Sequence, residues 1–97
     1  MPKGYWIARV TVKDPETYKQ YIAANAAAWK AFSGKFVVRA GRFECVEGTS
    51  RERNVVIEFP SYEAARACYD SPEYAAAKAI RKSAAESDLI IIEGYEG

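Results

Sequence analysis

Arg9, Arg39, Glu58 and Glu93 come from separate apolar segments that read as strands, and they alternate onto one predicted sheet face. Two arginines suit a small carboxylate, which a guanidinium can hold through two parallel N–H···O bonds. A glutamate whose pKa is raised by burial can act as a general base beside them. Glu58 is therefore the candidate catalytic base, with Arg9 and Arg39 as substrate anchors. The same four charges also read as salt bridges that fix the register between two copies of the chain. A second group lies on a helical stripe, where Asn25 is the one polar residue among Tyr18, Tyr21, Ile22, Trp29 and Phe32. Its amide can orient a substrate carbonyl or enolate, or it can bond backbone at a helix–loop junction. Tyr21 and Trp29, with Tyr18, form either an aromatic binding wall or plain core. Arg81, two turns beyond Tyr74, reads as a solvated charge.

The chain has no histidine among its 97 residues. That removes the usual Ser-His-Asp and Cys-His machinery, His-ligated haem, and most imidazole-dependent metal sites. Cys45 has no histidine to activate it, and Cys45 and Cys68 form no CxxC motif, so neither a zinc site nor a thioredoxin-like centre is expected. No glycine-rich phosphate loop occurs, and Gly34, Gly41 and Gly48 read as turn or bulge residues. Metal, haem and nucleotide cofactors are accordingly not expected. Fourteen Lys and Arg against 13 Asp and Glu leave a net charge of +1 with no basic stripe, which argues against nucleic acid or an anionic membrane as partner. Neither a secretory signal pattern nor a membrane-spanning apolar run is present, so a cytoplasmic location is expected.

The elements that carry these residues follow from caps and periodicity. Gly4–Val12 alternates as a strand, and Asp14-Pro15-Glu16 is a helix start, with the helix expected over 15–32 and stopped by Ser33-Gly34. A second strand opens at Lys35, with a bulge expected at Ala40-Gly41, and a polar turn at 47–53 leads into the third strand, Asn54–Phe59. Ser61 caps a helix to about Asp70, and Ser71-Pro72-Glu73 starts another to about Glu86. Asp88 onward is the last strand. The order β-α-β-β-α-β is a single-domain α+β ferredoxin-like plan over 1–97, a four-stranded antiparallel sheet of expected order 4-1-3-2 with the helices on one face.

Such a plan leaves the other sheet face bare. Parity places Trp6, Ala8, Val10, Val55, Ile57, Phe59, Ile90 and Ile92 under the helices. It places Tyr5, Ile7, Arg9, Val37, Arg39, Val56, Glu58, Leu89, Ile91, Glu93 and Tyr95 on the bare face. A surface that apolar exceeds what a soluble monomer normally exposes, so a homodimer that closes two sheets on each other is expected.

The segments "GYWIARVTVKDPETYKQY", "GKFVVRAGRFECVEG" and "VVIEFPSYEAARACYDSPEY" resemble the family known as domain of unknown function 1330. The most specific part is Glu58-Phe59-Pro60-Ser61 together with Ser71-Pro72-Glu73-Tyr74. The resemblance implies the dimeric α/β-barrel superfamily, which spans cofactor-independent monooxygenases, haem-degrading oxygenases, haem peroxidases, lactone isomerases and stress-response barrels. The fold alone selects none of these. Asn25 and Trp29 match two members of the Asn-Trp-His trio that some haem-handling relatives use, but the histidine is missing. The expectation is a small homodimeric barrel that binds, and in one form transforms, a small partly apolar anionic metabolite without metal, haem or nucleotide. The alternative is a non-catalytic dimeric module for stress response or ligand sequestration.

Overall fold

A computed structural model describes residues 2–96. The elements are β1 (Gly4–Val12), α1 (Pro15–Ala24), α2 (Ala26–Phe32), β2 (Lys35–Arg39), β3 (Arg53–Phe59), α3 (Tyr62–Tyr69), α4 (Pro72–Ala84) and β4 (Ala85–Glu93). All neighbouring strands pair antiparallel in the order β2-β3-β1-β4, the arrangement expected for a ferredoxin-like sheet. The helices cover one face.

Local chemistry sets the helix starts. The Asp14 carboxylate accepts from the Thr17 backbone N–H at 3.2 Å and from the Thr17 hydroxyl at 2.7 Å, with Pro15 in the first turn. Those Thr17 bonds hold the Asp14 carboxyl below its ordinary range. Because the folded pKa lies below the unfolded one, the cap stabilises fully above the unfolded value, and its contribution fades as pH falls through the folded one. Asp14→Asn still caps but does not titrate. Its melting temperature is therefore expected to fall less steeply on acidification than that of the wild type, and parallel melting curves would remove the cap from the account. Ser61 and Ser71 cap α3 and α4 in the same manner, accepting from Ala64 N and Tyr74 N.

The expected single helix over 15–32 is instead two, broken at Asn25. Asparagine competes with helix through its side chain. The break keeps its backbone bonds, since Asn25 N–H donates to Tyr21 O and its carbonyl accepts from Ala28 N and Trp29 N. Ser33 takes the left-handed conformation that ends α2, at φ 58°. Gly34 is needed for space, because a Cβ there would lie 2.8 Å from the Phe59 ring.

Trp6 is the centre of the core. Its ring packs edge-on to Trp29 at 5.1 Å and Tyr74 at 5.0 Å, and against Phe59 and Tyr69. Its indole N–H donates to Ala65 O at 2.8 Å, so this large ring is buried without an orphan donor. Cys68 lies in the same core, and burial pushes its thiol up to about 12, whereas Cys45 is exposed.

Two parity expectations are corrected. In β4, Ala8 pairs with Leu89 and Trp6 with Ile91, so Leu89 and Ile91 pack on the core while Ile90 and Ile92 lie on the bare face. Glu93 pairs with Gly4 and so leaves the bare-face set. The cause is register: β4 starts directly from α4 at Ala85, opposite Val12, and the run Leu89–Ile92 has no alternation to reveal its own parity. In β2 the irregularity falls at Val37 rather than Ala40-Gly41, between the pairs Phe36–Ile57 and Val38–Val56. That extra residue turns Arg39 to the face of Phe36 and Val55, away from Glu58.

Candidate functional site

The break at Asn25 and the open edge of the sheet leave a cleft between α1, α2 and α4 and the core face. Its interior is narrow, about 30 Å³, room for roughly two water molecules. The walls are apolar and aromatic. Trp29 forms one of them, with its indole N–H donating to Asn25 Oδ1 at 3.0 Å. On α1, Tyr18 and Tyr21 stack at 5.2 Å, and the Tyr21 hydroxyl bonds the Tyr74 hydroxyl at 2.8 Å.

Three guanidinium groups reach this cleft. Arg81 projects from the buried stripe Tyr74–Ala77–Arg81–Ala84 of α4 and is only 6% exposed. Its Nε and Nη1 are buried with no hydrogen-bond partner, as is the Nε of Arg53. Arg53 lies over the Tyr18 ring with Cζ 5.4 Å from the centroid, and Arg39, exposed at the mouth, lies 4.3 Å over Phe36. None of the three joins an ion pair among the described residues, and no carboxylate lines the cleft. Burial raises the Tyr18 hydroxyl above its ordinary range, and Arg53 opposes that shift. Burial likewise raises Tyr74, with Tyr21 adding to the effect. Both phenols stay protonated at neutral pH.

The structure divides the residues singled out from the sequence. Tyr21, Asn25, Trp29 and Arg39 come together in the cleft. Arg9 and Glu58 do not. Arg9 is exposed on the bare face, donating to Asn54 Oδ1 at 3.4 Å and Thr49 O at 3.1 Å. Glu58 sits on that face as the centre of a charge cluster, accepting from the Tyr5 hydroxyl at 3.3 Å and pairing with Lys3 at 3.7 Å and Lys35 at 3.5 Å. Burial raises the Tyr5 hydroxyl, and the Glu58 carboxylate adds to it. The constellation that joins Arg39 to Glu58 is thus corrected, since the two point to opposite faces. Arg81, read as solvated, is buried, and the signal for it was its place on the same stripe as Tyr74 and Ala77.

Comparison with solved structures finds a protein of unknown function from Rhodopseudomonas palustris, 21% identical with a TM-score of 0.79, covering 99% of this chain and 85% of that one. A cofactor-independent oxygenase from Streptomyces nogalater is 16% identical with a TM-score of 0.65, covering 100% and 97%. A dimeric ferredoxin-like protein of unknown function from Thermobifida fusca is 20% identical with a TM-score of 0.64, covering 95% and 91%. At these identities the shared property is the fold. Curated protein sequences gave no match. The family described as Domain of unknown function (DUF1330) matches residues 3–95.

Proposed function

This chain belongs to the DUF1330 family, and we propose that it is a homodimer binding a small, partly apolar organic anion whose carboxylate enters the cleft between helices and sheet. A carboxylate of the ligand seats on Arg81. Asn25 and Tyr21 orient it, Trp29 and Tyr18 form its walls, and Arg39 at the mouth draws it in.

One observation carries this reading: Arg81 is only 6% exposed, and two of its guanidinium nitrogens, Nε and Nη1, are buried without a partner. An unpaired buried charge is among the costliest arrangements in a protein, and a ligand anion is what would offset it. The dimer is supported by the bare face, where Ile7, Val56, Ile90 and Ile92 adjoin, and by the dimeric neighbour of the same fold. Glu58 then serves as an interface charge centre. Its place opposite the cleft, with no carboxylate lining the cleft, favours a binding module over a general-base enzyme.

The test is a thermal-shift series with benzoate and 4-nitrobenzoate. At a hundred dissociation constants a native-state ligand adds about 2.7 kcal/mol, which for a domain of this size is a rise of roughly 10 °C or more. Arg81→Met is expected to lose the response. A wild type indifferent to both carboxylates would remove the site.

A further inference from the structure

Two guanidinium groups meet in the cleft with no negative charge on the chain to balance them. Arg81 reaches it from α4 and Arg53 from β3, and the Nε and Nη1 of the first and the Nε of the second are buried without hydrogen-bond partners. Both charges act on the Tyr18 hydroxyl, where they oppose the upward shift that burial causes, so both lie close to the same oxygen. No carboxylate lines the cleft, and neither arginine joins an ion pair among the described residues.

Water and an anion answer these N–H groups differently. A water molecule accepts their hydrogen bonds but carries no charge, so it leaves the buried Arg81 and the partly buried Arg53 uncompensated among apolar walls. The Asn25 and tyrosine oxygens that line the cleft are neutral and do not change that count. An anion supplies the charge and takes the stronger, charge-assisted bonds as well. Size then selects among anions. An interior of about 30 Å³ has room for roughly two water-sized occupants, which suits a monoatomic anion with one water, or the two oxygens of a single carboxylate, and not a tetrahedral oxyanion. Resting on the proposed carboxylate site, we infer that the cleft without its organic ligand holds one halide ion of chloride size beside Arg53 and Arg81, and that the ligand's carboxylate enters by displacing it. Binding is then an exchange of one anion for another. The arginines keep a counter-ion in both states, and affinity for the organic ligand falls as chloride rises.

The probe is chloride itself, in a buffer free of other halides and of carboxylates, with ionic strength held by sodium sulfate. Wild-type protein is expected to broaden the chlorine-35 NMR line. Titration of that broadening gives the chloride dissociation constant, benzoate relieves it, and Arg81→Met produces none. At chloride ten times that constant, the apparent dissociation constant of benzoate is expected to be about elevenfold weaker, and the melting temperature of the wild type to rise by about 5 °C or more relative to that of Arg81→Met. General effects of salt move both proteins alike and cancel in that difference. Benzoate that binds with the same affinity at every chloride concentration, with no line broadening that it relieves, would mean that water fills the interior, which overturns the halide and leaves the carboxylate site standing. Chloride and benzoate bound together without competition would overturn the exchange by placing them in different sites. Binding of neither would overturn the halide and the carboxylate site together.

Discussion

Arg81→Met is expected to make the ligand-free protein more stable, raising its melting temperature by at least about 4 °C, while it silences the response to carboxylates. The side chain is 94% buried, and two of its nitrogens lack partners, so the folded state carries a desolvation penalty on the order of 1–3 kcal/mol or more. Methionine keeps an unbranched apolar stem against Tyr74 and Ala77 and removes the charge. Each kcal/mol recovered is worth about 4–8 °C in a domain of this length. Arg81→Lys keeps a cation there and gains no such stability. Differential scanning of the three proteins without ligand decides the matter: a methionine variant less stable than the wild type that still binds 4-nitrobenzoate would make the guanidinium a structural strut.

Arg81 also shows what could be read from the sequence and what could not. Its spacing from Tyr74 and Ala77 put it on the buried stripe of α4, but charge type alone suggested solvent, and only packing reveals a residue held against its own preference. Asn25, Tyr21 and Trp29 were legible because one intruder on an apolar helical stripe is conspicuous by period. Element order and sheet topology were legible from caps, turns and alternation. The two faces were legible only where alternation was unbroken, as in β1 and β3. Leu89–Ile92 is apolar throughout, so its parity came from the abrupt α4–β4 junction, and Arg39 was moved across the sheet by one extra residue at Val37. Both depend on pairing with another strand, which the local sequence does not encode.

Ile90→Glu is expected to leave the chain folded and to break the proposed dimer. Ile90 pairs with Ile7 at the middle of the bare face and is 53% exposed in the single chain. Burying a whole isoleucine contributes about 1.5–3 kcal/mol and the interface has only about half of Ile90 left to bury, so with each substitution counted twice about 1.5–3 kcal/mol of association is lost before any penalty for a buried carboxylate. That is a weakening of roughly 10- to 10²-fold, to which the buried carboxylate adds. Sedimentation at micromolar concentration should give twice the chain mass for the wild type and the single chain mass for the variant, with the exposed helical substitution Lys30→Ala unchanged. A variant that keeps the wild-type mass would mean that another surface joins the copies.

The contact between Trp6 and Trp29, with centroids 5.1 Å apart and rings at 85°, has an optical consequence. Trp6 is sealed in the core and Trp29 forms a wall of the cleft, and these are the chain's two tryptophans. A ligand that enters beside Trp29 changes the surroundings of one indole of a touching pair, so the unlabelled protein's own emission is expected to shift or change in intensity with occupancy.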